Sequence, residues 1–252
     1  MASKGTILIT GANSGLGAEM SRQFAALGYD LAITARRTDR LDELAAEITG
    51  ANADRKVITK ALDVNDDDAV FRVFKEVAAE FGTLDRVIIN AGLGKGAPLG
   101  KGRYDANRQT AMTNFVAALA QTEAAMEIFR AQKSGHLVMI SSISALRGMR
   151  KTITTYAATK AGVAALAEGL LNENVKAKGI DVSIIYPGYI RSEMNEKVAQ
   201  NTKFMVDTET GVKAMVDAIE KRKEKAYVPA WPWVPIGYAL KNAPMSVVRK
   251  LF

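Results

Sequence analysis

Short runs of consecutive apolar residues alternate along the chain with longer stretches in which apolar and polar positions recur at helical spacing. The apolar runs predict strands at Thr6–Thr10, Leu31–Ala35, Val57–Ala61, Arg86–Asn90, Leu137–Ile140, Val182–Tyr186 and Ala226–Val228. Several are continuous runs dominated by Ile, Val and Leu with no polar alternation, as expected of parallel strands buried on both faces. Helices are predicted over Leu16–Leu27, Thr38–Thr49, Asp66–Phe81, Asp105–Ala131, Thr155–Lys178 and Glu209–Lys223. The third of these opens with Asn65 as its expected N-cap and with Asp66, Asp67 and Asp68 in its first turn, which suits the helix dipole. Strand alternating with helix throughout implies an α/β fold built on a single doubly wound parallel sheet with helices on both faces.

No Pro/Ser-rich linker or internal repeat breaks this pattern, so residues 1–230 read as one domain. The remainder, 231–252, has a different character. Four of the six prolines fall between Val228 and Met245, among Trp231, Trp233, Val234, Ile236, Tyr238 and Leu240. Burying a few such side chains contributes about 1.5–3 kcal/mol each, so this tail is expected to pack near the active-site entrance, on its own domain or on a neighbouring subunit. Trp and Tyr beside Lys241, Arg249 and Lys250 also suit a lipid interface. The prolines argue against a long amphipathic helix, however, which leaves membrane contact as the lesser alternative.

Composition narrows the chemistry. The 252 residues include no cysteine and one histidine, His136, which excludes thiolate metal sites and leaves no basis for a metal centre. No apolar run is long enough to span a bilayer, and the opening MASKGTILIT lacks the apolar core of a secretion signal, so a cytoplasmic location is expected. The net charge of +7 raises nucleic acid as a partner. The basic residues are scattered and interleaved with acidic ones, and the reading preferred is a solvated basic surface with no nucleic-acid partner.

The first predicted strand runs into Thr10-Gly11-Ala12-Asn13-Ser14-Gly15-Leu16-Gly17 and then a helix. Gly11 permits a tight turn, Gly15 lets the backbone approach a pyrophosphate, and Gly17 lets helix pack closely on strand. The free N–H groups at the helix start, with Asn13, Ser14 and Leu16, then face the phosphates. The spacing T-G-x-x-x-G-x-G resembles the short-chain dehydrogenase/reductase family, and further pieces of that pattern follow in order. They are Asp63-Val64, Asn90-Ala91-Gly92, Asn114, Ile140-Ser141-Ser142, Tyr156-x-x-x-Lys160 and Pro187-Gly188, so the resemblance spans roughly residues 5 to 230. It implies a Rossmann-like fold and binding of a nicotinamide dinucleotide. By the same resemblance Asp63 and Val64 would hold the adenine, Asn90 would line the adenosine ribose, and Ile190 would meet the carboxamide through its backbone. The chain departs from the family in small ways. Ser192 stands where a threonine is usual after Pro187-Gly188, and Ser142 precedes Tyr156 by one residue more than is common, which leaves Ser141 or Ser144 as alternatives.

After the second strand the chain reads Thr34-Ala35-Arg36-Arg37. An acidic residue there would bind the ribose diol of NAD and repel a 2′-phosphate. None is present, and guanidinium groups bind phosphate with paired, charge-assisted hydrogen bonds, so Arg36 and Arg37 favour NADP(H).

Tyr156 and Lys160 lie one helical turn apart on one face. A tyrosine pKa near 10 needs help for proton exchange at neutral pH, and the Lys160 ammonium favours the phenolate. The resemblance adds that Lys160 holds the ribose hydroxyls of the nicotinamide half. In that scheme Tyr156 exchanges the proton, Ser142 stabilises charge on the substrate oxygen, and Asn114 distorts its helix to hold a water connected to Lys160. The expected activity is hydride transfer between NADP(H) and a small-molecule carbonyl or secondary alcohol, with a hydrophobic substrate expected. The substrate pocket is expected from Leu93–Leu99, the stretch after Ser142, and Tyr189–Val206. The alternative is a catalytically silent dinucleotide sensor, which would require a missing member of the four. The small residues along Asp105–Ala131 and Thr155–Lys178 predict a homodimer or homotetramer.

Overall fold

The computed structural model describes residues 2–194 and 204–251. The parallel sheet contains β1 (Thr6–Thr10), β2 (Asp30–Ala35), β3 (Val57–Ala61), β4 (Arg86–Ile89), β5 (Gly135–Ile140), β6 (Ile180–Pro187) and β7 (Lys225–Val228), in the order β3-β2-β1-β4-β5-β6-β7. Chain direction across the sheet reverses between β1 and β4, which opens a crevice at their carboxyl ends.

Successive strand residues point to opposite faces, and each face has its own core. Leu8, Val87, Met139 and Ile184 pack with α3 (Asp67–Phe81), α5 (Ala117–Gln132) and α6 (Thr154–Asn172). Ile7, Ile9, Ile33 and Ile185 pack with α1 (Gly15–Ala26), α2 (Thr38–Ala51) and α7 (Thr208–Glu220) on the other side. This is why the strands carry unbroken apolar runs. Helix α3 shows the complementary pattern: Val70, Val73, Phe74 and Val77 are buried at helical spacing. Its cap is Asp66, whose carboxylate accepts from the Ala69 N–H at 3.0 Å. The expected cap, Asn65, lies one residue too early because its side chain instead bonds the Asp63 carboxylate at 2.9 Å.

Two predicted helices end or break early. Asp105–Ala131 is not one helix: α4 (Tyr104–Ala111) and α5 are joined by a π-helical turn at Met112–Val116. Thr155–Lys178 stops at Asn172, after which Asn174 adopts left-handed backbone and a 3₁₀ turn leads into β6.

Beyond β7 the chain forms α8 (Ala230–Asn242) and α9 (Met245–Leu251). Because Trp231 is non-helical, Pro232 is the first residue of the true helix α8, where a missing N–H matters least, and Pro235 follows inside it. Trp233 is 2% exposed and forms a small core with Ile143 and Leu240, bordered by Leu146, Tyr189 and Ile236. Its indole lies against Gly188, where any side chain would collide with it. Gly237 gives α8 the same close approach to Leu146 and Ile143. Trp231, Val234 and Tyr238 face outward.

A buried polar network crosses the amino edge of the sheet. His136 on β5 accepts from Arg86 Nε on β4 at 3.0 Å through Nδ1, which places its proton on Nε2, facing the Ser183 hydroxyl of β6 at 2.8 Å. Arg86 reaches Glu220 of α7 at 2.6 Å, and Tyr29 donates to the same carboxylate. Burial, together with the Arg86 charge, pushes the His136 imidazole down to about 3. Unfolded histidine protonates near 6.5, so the stability from keeping His136 neutral is complete above that pH. It is lost progressively as pH falls from about 6.5 toward 3, by about 1.4 kcal/mol per unit across that window. Denaturant melts between pH 7 and 4 should show this slope, and His136→Gln should flatten it while lowering stability at pH 7.

Candidate active site

At the carboxyl edge a cleft of about 1080 Å³ opens over β1 and β4. Its floor is set by side chains that tie strand ends together. The Thr10 hydroxyl accepts from the backbone N–H groups of Asn90 and Ala91, at 3.1 and 3.2 Å. Asn90 returns the contact, its amide donating to the carbonyls of Thr10 (3.0 Å) and Gly11 (3.2 Å). Gly11 has φ +66° and packs on the Ala91 backbone, and a Cβ on Gly17 would lie 2.7 Å from the Asn90 amide nitrogen. Both glycines therefore permit the turn to close on β4. Ser14 is the N-cap of α1 but spends no side-chain bond on it, and no acidic residue fills the first turn, so the positive helix end is left facing the cleft.

Of the predicted dinucleotide contacts, Gly11, Asn13, Ser14, Gly15, Leu16, Arg36, Arg37, Asp63, Val64, Asn90, Ala91, Gly92, Pro187, Gly188, Ile190 and Ser192 all line this one cleft. Gly17 does not; it is buried beneath the loop. Both donors of the Asn90 amide are committed to the loop, so only the rest of that residue is available to a ribose.

Ser142, Tyr156 and Lys160 converge at the inner end of the cleft. The Ser142 hydroxyl hydrogen-bonds the Tyr156 phenol and accepts from the Ser144 N–H at 3.2 Å. Ser141 also lines the cleft, but its hydroxyl is committed, donating to the Lys160 carbonyl at 2.8 Å. Ser144 does not line the cleft. Lys160 Nζ donates to the Ile140 carbonyl at 2.8 Å and stands 6.0 Å from the centre of the Tyr156 ring. Burial raises the Tyr156 phenol, opposed by the Ser142 hydrogen bond, and lowers the Lys160 ammonium to about 8. Both groups are thus shifted toward their neutral forms.

Asn114 occupies the π-helical turn but does not reach Lys160. Its amide donates to the Leu93 carbonyl at 2.9 Å and its oxygen accepts the Leu93 N–H at 2.6 Å. It therefore holds the loop after β4, and Gly92 separates it from the Lys160 amine.

Residues 192–194 cross the cleft mouth. Ser192 approaches Gly15, and Met194 lies over Gly94. Glu193 forms ion pairs with Arg37 at 3.2 Å and Arg40 at 3.0 Å, which hold its carboxyl down at about 2. Arg37 also donates to Ser14 at 3.3 Å. In the amide orientation that satisfies both ends, the Asn13 oxygen accepts from Arg37 at 2.5 and 2.8 Å. Of the expected pocket residues, Ile143 is buried, with Leu146, Met149 and Tyr189 against the Trp233 core, while Met194 and Phe204 are exposed. Residues 195–203 of the expected Tyr189–Val206 segment lie outside the described residues. Arg147, beside that pocket, donates to the Ala243 carbonyl in the tail at 3.1 Å. Among the described residues no helix is long and apolar enough to cross a membrane, and no acidic or histidine cluster could hold a metal.

The family model for the short chain dehydrogenases matches residues 5–203. The chain belongs to the short-chain dehydrogenase family. This family member is 51% identical to an uncharacterized oxidoreductase of Mycobacterium tuberculosis over 244 residues, covering 97% of this chain and 96% of the relative. It also resembles a short-chain dehydrogenase from Sphingobium yanoikuyae solved with NADPH, at TM-score 0.82 and 26% identity over 97% of this chain and 95% of the other. A Burkholderia phymatum short chain dehydrogenase/reductase solved with NAD shares the fold at TM-score 0.84 and 19% identity, over 99% and 95%. This short-chain dehydrogenase is an oxidoreductase that uses a nicotinamide dinucleotide.

The clasp at Thr10 predicts a specific sensitivity. Thr10→Val keeps the shape but strips the acceptor from two N–H groups, costing about 1–3 kcal/mol. Thermal melts should fall accordingly, and dinucleotide binding measured by calorimetry should weaken because the phosphate loop is released from β4.

Proposed function

We propose that this short-chain dehydrogenase transfers hydride between NADP(H) and a carbonyl or secondary alcohol, with Tyr156 as general acid and base. The observation that carries the reading is the meeting of Ser142, Tyr156 and Lys160 in the same cleft as the phosphate loop and the arginines after β2. The residues present fit the dinucleotide. The uncapped start of α1 offers N–H groups to the pyrophosphate, and β2 ends on Ala35 with no carboxylate, followed by Arg36 and Arg37.

When bound, the nicotinamide supplies or takes the hydride. The protein's part is to handle the proton and the developing charge. Burial keeps the Tyr156 phenol protonated and therefore ready to donate to a substrate oxygen. The Ser142 hydroxyl, already bonded to that phenol, is placed to hydrogen-bond the same oxygen and stabilise its negative charge. Lys160 is fixed by the Ile140 carbonyl near the ring, and its positive charge favours the phenolate left after donation. In the oxidative direction the same phenolate takes the alcohol proton. Asn114 acts as a positioning residue, holding the Leu93 loop that borders the pocket. The apolar side chains of Leu93 and Met194, which line the cleft, favour a hydrophobic substrate.

The reading is tested by NADPH oxidation against a panel of ketones and aldehydes. Tyr156→Phe should retain NADPH binding and lose turnover by a factor of about 100 or more, the scale of a general acid–base contribution. Near-normal turnover in that variant would refute the proton-transfer role. Arg36→Asp should weaken NADPH by roughly 2 kcal/mol while leaving NADH little changed; equal losses for both would remove the basis for the NADP assignment.

A further inference from the structure

The arginines that follow β2 already hold an anion, and it belongs to the chain. Glu193 Oε2 pairs with Arg37 and Oε1 with Arg40, so each carboxylate oxygen is spent on a different guanidinium. The arrangement reaches across 156 residues of sequence, from the start of α2 to the strap at the cleft mouth. The strap is held on both sides of Glu193. Ser192 sits against Gly15 of the phosphate loop, and Met194 covers Gly94 of the loop after β4. Arg37 is further aimed by Ser14 and Asn13, residues of the phosphate loop itself. The fork of guanidinium donors beside that loop is the chemistry that receives a phosphate monoester. Here a carboxylate occupies it.

We infer that Glu193 is a cofactor-discriminating residue, an internal anion that fills the place of the 2′-phosphate and must be displaced when NADPH binds. This rests on the NADP(H) reading above and adds a competitor to it. The overlap lies at Arg37, which lines the cleft while Arg40 stands outside it: the Arg37 Nη2 donor spent on Glu193 is not available to a phosphate while the ion pair lasts. The doubly charged phosphate is the stronger ligand, but its net gain is reduced by the ion pairs it breaks. A dinucleotide with a free 2′-hydroxyl breaks none of them. Glu193 then stays on the arginines and neutralises them beside the ribose, where β2 offers only Ala35. The residue therefore narrows the preference for NADPH over NADH that the arginines alone would create.

The test is calorimetric binding of 2′,5′-ADP and 5′-ADP to the intact protein, which reads the adenosine end without any turnover. Glu193→Gln keeps the side chain's size and exposed position and removes the charge. It should bind 2′,5′-ADP roughly fivefold more tightly, the scale of losing exposed ion pairs, with 5′-ADP unchanged. If both probes shift equally, or neither does, Glu193 only fastens the strap and the inference fails. Arg37→Ala in parallel separates this result from the parent reading. A wild type that favours 2′,5′-ADP and loses that preference in Arg37→Ala, with Glu193→Gln silent, overturns the competitor alone. A wild type with no preference, unaffected by Arg37→Ala, overturns both.

Discussion

The cleft depends on one small hydrogen-bonded clasp. Thr10 at the end of β1 and Asn90 at the end of β4 exchange four bonds between a hydroxyl, an amide and the two backbones. In a doubly wound sheet these two strands are where the winding reverses, and their own pairing with each other ends at Ile9 and Ile88. Without the clasp the turn after β1 would be an ordinary exposed loop. With it, Gly11 is pressed on Ala91 and Gly17 lies beneath the turn, so the backbone donors at the head of α1 face one fixed direction. The loop ahead of α1 is thereby fastened to the interior strands of the sheet.

The groups proposed to react follow from the same economy of placement. Tyr156 and Lys160 come from one face of α6, Ser142 from the end of β5, and both elements pack against the core centred on Leu137, Val182 and Ala167. Burial works in opposite senses on the two titrating groups, raising the phenol and lowering the ammonium. The phenol is thereby kept neutral, whereas the amine, lowered only to about 8, remains mostly protonated at neutral pH.

Much of this was legible in the chain. Unbroken Ile/Val/Leu runs marked strands buried on both faces, and the ordered glycines, Tyr156, Lys160 and Ser142 marked the cleft. What was not legible depends on contacts between distant segments. Nothing local distinguishes Asn65 from Asp66 as a cap; the choice turns on Asp63 claiming the former. The resemblance anticipated a distortion at Asn114, but helical periodicity carries no signal of the π turn at Met112–Val116 or of the grip of Asn114 on Leu93. Glu193 looks like any surface glutamate until α2 brings Arg37 and Arg40 beside it. The prolines of the tail argued against a long amphipathic helix, and the non-helical Trp231 shows how α8 begins at Pro232. Asn90 lines the cleft, and what the sequence does not show is that its amide donors serve the loop.

The tail's two tryptophans differ in surroundings as far as two such residues can. Trp231 is 78% exposed, whereas Trp233 is sealed, with Tyr189 edge-on to its ring at 5.1 Å and Gly188 beneath it. Since Gly188 forms part of the cleft lining, the buried indole is a single residue-thickness from any ligand there. The protein therefore carries its own optical probe. Emission from the shielded indole is blue-shifted and protected from aqueous quenchers, while that from Trp231 is red-shifted and quenchable. With the outer indole silenced by iodide or acrylamide, the remaining light comes from directly behind the cofactor cleft, a view of its occupancy that requires no label and no added chromophore.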